Sequence, residues 1–200
     1  MDPALARSKP FAALMLLLIW GCALPIRAQE IRRSIEPMNF RPVSAEDPLL
    51  DKPFKNEQAF YSIRPPAGWA PQRPGPLEKS LRYAVHFENP QNGDFLSIGL
   101  LEGGPQSLTL AGLSRFRGDY LGSIRKSGMG RIIGSDLFQF GHHLCLQVLV
   151  QNKDHLVLQL LVFDQPGSFA QLVFSMGKNR YRPLARALEA SIASFEWPAI

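Results

Sequence analysis

Two hundred residues with 46% apolar content are enough for one domain of ordinary size plus tails, with a core that stands without disulfides or metal. The net charge of +5 falls to +3 once residues 1–28 are set aside, too mild to imply a nucleic-acid partner. With only two cysteines, Cys22 and Cys145, there is no disulfide framework.

Arg7 and Lys9 precede the apolar run "FAALMLLLIWGCALPI", which is too short to span a bilayer and is closed by Arg27. Pro25 ends the helical part, and Ile26-Arg27-Ala28 reads as a cleavage tripeptide. Residues 1–28 are therefore a secretory signal. A second reading remains open: Ile19-Trp20-Gly21-Cys22 resembles a bacterial lipobox, which would make 1–21 a lipoprotein signal and Cys22 a lipid anchor. No later stretch is long and apolar enough to span a membrane, so a periplasmic or secreted body is expected, tethered if Cys22 is lipidated. Residues 29–57, interrupted by Pro37, Pro42, Pro48 and Pro53, read as a flexible leader.

The folded part is expected over 58–197. "AFYSIRP" has strand content and "PPAGW" stops it with turn residues, Gly68 turning the chain and Trp69 entering the core. In "LRYAVHF", Leu81, Tyr83, Val85 and Phe87 alternate with polar or small residues. An Asn92-Gly93 turn then joins this strand to "DFLSIGLL" as a hairpin. From an N-cap at Ser107 the period becomes helical, with Leu110, Leu113, Tyr120, Leu121 and Ile124 recurring and Phe116 nearby. Arg125 and Lys126 suit the negative end of the helix dipole, and "SGMG" ends the helix. Strands follow near 131–140, 143–151, 155–163 and 168–176, with links short enough for an antiparallel meander. A last helix opens with Pro183 in its first turn and carries Leu184, Leu188, Ile192 and Phe195 on one stripe. The class is α+β: an antiparallel β-sheet packed with helices.

The opening "FYSIRPPAGW" at 60–69, the hairpin, the long helix, the meander and the closing "SIASFEW" together resemble the PsbP-like α/β/α sandwich, over residues 58–197. That superfamily includes the extrinsic PsbP proteins of photosystem II, a Ran-binding nuclear factor and exported bacterial relatives such as DcrB. The resemblance implies binding, docking or assembly more often than catalysis, and it supplies no catalytic residues.

The chain's own residues offer little chemistry. No H-x-H, H-E-x-x-H or zinc-spaced cysteine pair occurs. His142 and His143, adjacent at a strand start, are expected to point to opposite faces and not to share a metal. No G-x-S-x-G is present, and Cys145 between two leucines reads as an inert buried thiol. "EGGPQS" before the first helix is the one glycine-rich stretch placed to hold an anion.

Gln147, Gln159 and Gln171 interrupt apolar strands, with Gln147 expected opposite Gln159 and Gln171 diagonal to it, on a face shared with Cys145 and Leu149. Buried amides need partners: each other, a covering helix or a ligand. An internal network is the plainer expectation. The alternative is a groove, flanked by His143 and Cys145, that takes a peptide or small molecule. Arg115, Arg117, Arg125 and Lys126 form one basic group; Lys178, Arg180, Arg182 and Arg186 form a second, at a helix start where positive charge opposes the dipole. That patch suits an anionic membrane surface or an acidic partner, and a solvated face equally.

The sequence thus points to an exported, non-catalytic binding or assembly module of the bacterial cell envelope, without cofactor or metal, whose partner is an envelope protein or an anionic membrane surface. A small-molecule carrier or enzyme using the glutamine face is the alternative, and a structural part of a larger envelope complex is a third.

Overall fold

Among the described residues the first strand begins at Phe54. In the computed structural model the described residues are Leu49, 52–73 and 81–197, all within the second of the chain's two units, Ile31–Ile200. The signal segment with Cys22, and most of the stretch read as a leader, lie outside them. The end of that stretch is part of the fold. β1 (Phe54–Asn56) pairs antiparallel with β2 (Tyr61–Ile63), and Leu49 is buried and bridges Pro66. A three-residue strand after Pro53 carries no readable period, so composition alone made it look like tether. The strand expected from Ala59 starts at Tyr61, because 57–60 form the turn.

The main sheet has seven strands, ordered β3-β4-β5-β9-β8-β7-β6 and antiparallel throughout. They are β3 (Ala70–Gln72), β4 (Arg82–Glu88), β5 (Phe95–Glu102), β6 (Arg131–Phe140), β7 (His143–Gln151), β8 (His155–Phe163) and β9 (Ser168–Gly177). The expected β4–β5 hairpin and the β7–β8–β9 meander are both present. The alternation in β4 breaks at Tyr83, which bulges out with φ 54° and 36% exposure while Val85 and Phe87 stay buried. The bulge turns the Tyr83 carbonyl toward the β1–β2 hairpin, where it accepts from the Tyr61 hydroxyl at 3.1 Å and from Asn56 Nδ2 at 3.3 Å.

The central strands are buried on both faces, which is why they read as nearly unbroken apolar runs. One face of β7–β9 carries Cys145, Leu149, Leu158, Leu160, Val162, Ala170, Leu172 and Phe174. It packs under α2 (Tyr181–Ala193) through Leu188 and Ile192, and with Tyr61, Ile63, Trp69, Phe195 and Trp197. The other face carries Leu146, Val148, Val150, Leu161, Phe163 and Phe169 under α1 (Leu110–Ser127), which contributes Leu113, Leu121 and Ile124. The N-cap of α1 is Thr109, whose side chain accepts from Gly112 N at 3.2 Å. The hydroxyl of Ser107, the cap expected from sequence, bonds Thr109 instead. Gly128 ends α1 at φ 69°, a left-handed cap that costs a β-carbon-bearing residue more.

Register decides the fate of the glutamine row. The β7–β8 turn closes through Asn152 N to His155 O, and this sets Gln147 against Leu160 and Val148 against Gln159. A slip of one residue from the expected pairing moves a side chain to the other face. Gln147 therefore lies with Cys145 and Leu149 on the α2 side. Gln159 and Gln171 lie with Leu161 and Phe169 under α1, still diagonal to each other as expected.

Candidate functional site

Gln159 and Gln171 are hydrogen-bonded inside the domain. Tyr120 of α1 donates its hydroxyl to Gln159 Oε1 at 2.6 Å and accepts from Gln171 Nε2 at 2.8 Å. Burial pushes the Tyr120 phenol up to about 12, and the Gln171 hydrogen bond pulls it only partly back, so it remains a donor. This is the internal network with a covering helix. Cys145 is buried at 1% exposure and desolvation raises its thiol pKa far above the ordinary range, so it is unreactive.

Two other sequence candidates are used by the fold. The amides of Gly103 and Gly104 both donate to Gly167 O, at 2.9 and 3.1 Å, so they are not free to cradle an anion. In the second basic group, Arg180 forks onto buried Asp94, with Nη2 to Oδ1 at 2.5 Å and Nε to Oδ2 at 2.7 Å, and Lys178 donates to the Lys153 carbonyl. Arg182 and Arg186 remain exposed on α2. Unfavourable placement of Lys178 and Arg180 at a helix start is thus explained by contacts within the domain, and the patch is half the size the sequence suggested. Arg117, of the first group, is likewise tied to Ser135 Oγ and O at 2.8 Å.

The site that geometry does assemble is elsewhere. Gly141 and His142 form the two-residue turn between β6 and β7, with Gly141 at φ 57° and Phe140 paired to His143. His142 therefore sits in a turn, outside strand alternation, and folds back so that the two imidazole centroids are 3.8 Å apart. The expectation that the two rings point to opposite faces fails for that reason. Asp164, just past β8, completes a group in which one ligand atom from each of His142, His143 and Asp164 lies within 4.8 Å of the others.

His143 is only 4% exposed. Asp164 Oδ1 is 3.5 Å from its Nδ1, near enough to attract a charge but without hydrogen-bond geometry. That Nδ1 has no hydrogen-bond partner among the described residues. Burial lowers the His143 pKa, the neighbouring His142 lowers it further, and Asp164 opposes both; the net shift is downward, so the ring is neutral at pH 7.

The histidines open onto a cleft of about 690 Å³, walled by the β1–β2 hairpin, the β6–β7 turn and the segment Phe195–Trp197. Asn56 shapes the hairpin turn, its side-chain Oδ1 accepting from Gln58 N at 3.1 Å and Ala59 N at 2.9 Å. Phe60 ends that turn at φ 56° and is 69% exposed at the cleft. A left-handed backbone is costly for such a residue, roughly 1 kcal/mol or more, and here it holds an exposed aromatic ring. Ser62 and Glu196 exchange both backbone hydrogen bonds, 2.8 and 2.9 Å, tying the C-terminal wall to β2. A sequence signal for this site existed in "FGHH": glycine before the first histidine marks the turn that removes it from alternation.

This arrangement, a seven-stranded antiparallel sheet between two helical layers, defines an α+β sandwich. The fold is PsbP-like: the chain is similar to the solution structure of cyanobacterial PsbP (CyanoP) from Synechocystis sp. PCC 6803, with TM-score 0.56 and 14% identity over 76% of this chain and 94% of that one. A crystal structure from Bacteroides thetaiotaomicron VPI-5482 also aligns, with TM-score 0.45 and 16% identity over 74% of this chain and 48% of that one. No family model and no curated protein matches the sequence. Among the described residues no helix is long and apolar enough to cross a membrane.

Proposed function

We propose that this is an exported, non-catalytic binding domain of the bacterial cell envelope, and that its binding centre is a divalent metal ion held by Asp164 and by His142 and His143, the two histidines also lining the apolar cleft. The observation that carries it is His143 Nδ1: a buried ring nitrogen without a hydrogen-bond partner among the described residues, 3.5 Å from the Asp164 carboxylate. An unmet buried polar atom costs about 1–3 kcal/mol, and coordination would remove that cost. A tetrahedral zinc-sized ion with bonds of about 2.0–2.2 Å sets its donors about 3.3–3.6 Å apart; His143 Nδ1 and Asp164 Oδ1 are 3.5 Å apart, and all three donors lie within 4.8 Å of one another. Three protein ligands leave one position for a partner's donor. The nitrogen-rich set favours zinc, copper or nickel over magnesium or calcium.

Calorimetric titration of the purified protein with zinc tests this. One ion per chain is expected, with affinity reduced at least about tenfold in His142→Ala, an exposed turn position whose loss spares the fold, and similarly in Asp164→Asn. Metal binding needs deprotonated ligands and so competes with protons, and zinc affinity is expected to fall as the pH is lowered. Zinc uptake that ignores both substitutions overturns the site.

The export half of the reading rests on residues 1–28. The matured chain is expected to be soluble and to begin at Gln29. Intact mass from membrane and soluble fractions of an exporting bacterium decides it, because a membrane-bound chain beginning at lipidated Cys22 would replace the free binder with a tethered one.

A further inference from the structure

We infer that the cleft beside His142 and His143 receives a small carboxylic acid with a flat apolar body, the acid group filling the open position of the ion. This rests on the metal reading above. Its own support is the cleft: a volume of about 690 Å³ is in the range that holds small organic ligands, and Phe60, Tyr61, Phe140, Phe195 and Trp197 line it. Aromatic walls favour a planar apolar body, which stacks or meets ring edges. The strained, exposed Phe60 is the one ring the core does not claim. An extended peptide fits less well, since both backbone edges of β2 are occupied, one by β1 and one by Glu196.

The head group follows from coordination. Lys55, Glu57 and Glu196 also line the cleft, and Glu196 Oε2 accepts from Ser62 Oγ at 3.1 Å, so charge alone does not select the ligand. The ion does. An ammonium has no lone pair to offer, and a neutral amide oxygen is a poorer donor to a divalent cation than a carboxylate.

The test is calorimetry of the zinc-loaded full chain with 2-naphthoate and, as an isosteric head-group control, 2-naphthamide. Naphthoate is expected to bind about tenfold or more tighter than naphthamide, a difference of about 1.4 kcal/mol. The gap should close to about twofold in His142→Ala or after chelation of zinc. Phe60→Ala should weaken both ligands about three- to tenfold while leaving zinc uptake unchanged. Zinc uptake with neither naphthyl ligand binding, or with both binding equally, overturns this inference alone. Failure to take up zinc overturns it together with the metal reading.

Discussion

Replacing Asp94 with alanine is expected to cost about 2–3 kcal/mol of folding stability, the largest single loss outside the apolar core. Asp94 is 1% exposed and sits in the loop between β4 and β5. Its Oδ1 accepts from Gly177 N at 3.1 Å as well as from Arg180, so one carboxylate ties that loop to the end of β9 and to the 3-10 turn Lys178–Arg180 that leads into α2. Deleting it strands a buried amide N–H and leaves a guanidinium without its partner. The Arg180 side chain is 33% exposed and can turn to water, which holds the loss below the 3–5 kcal/mol typical of a fully buried pair. For a domain of this size the midpoint should fall by about 5–10 °C. Arg180→Ala should cost less than Asp94→Ala, because Gly177 N keeps its acceptor. The double variant should cost clearly less than the sum of the singles. An unchanged melting curve for Asp94→Ala would show that the fork is decoration.

Elements with a repeating period were legible in the sequence and the site was not, for a physical reason in each case. The β7–β9 meander and the stripe Leu184, Leu188, Ile192 are written locally, in residues two or four apart, and their positions were recovered to within a residue. The face assignment of the glutamines failed because it depends on how the 152–155 turn closes, and alternation converts one residue of error into the opposite face. β1 was missed because three residues next to a proline carry no period.

The cleft is harder still. Phe60, His142 and Trp197 come from three separate parts of the chain and meet only after the sheet, the hairpin and the last helix are in place, and Asp164 reaches the histidines from a fourth. Only the turn at Gly141-His142 could have been anticipated. It would have removed the objection to a shared metal without supplying Asp164. The basic patch shows the converse error: Lys178 and Arg180 looked free because their partners, Lys153 and Asp94, are distant in sequence.

The corrected register has its own consequence at Tyr120. Its hydroxyl serves both Gln159 and Gln171, so Tyr120→Phe removes one oxygen and strands a buried amide carbonyl and an amide N–H together. Gln159 is 5% exposed, leaving little access to water for compensation. A loss of about 2 kcal/mol is expected, read as a shift of the urea midpoint at constant slope. Removing the amides as well should restore much of it, since replacing every partner by apolar groups of similar shape is nearly neutral where removing one is not. The variant carrying Tyr120→Phe, Gln159→Leu and Gln171→Leu is therefore expected to be more stable than Tyr120→Phe alone. Gln147→Leu lies on the opposite face and should add independently to either background. If instead Gln147→Leu couples strongly to Tyr120→Phe, the three amides share one face and the register in which Val148 opposes Gln159 is wrong.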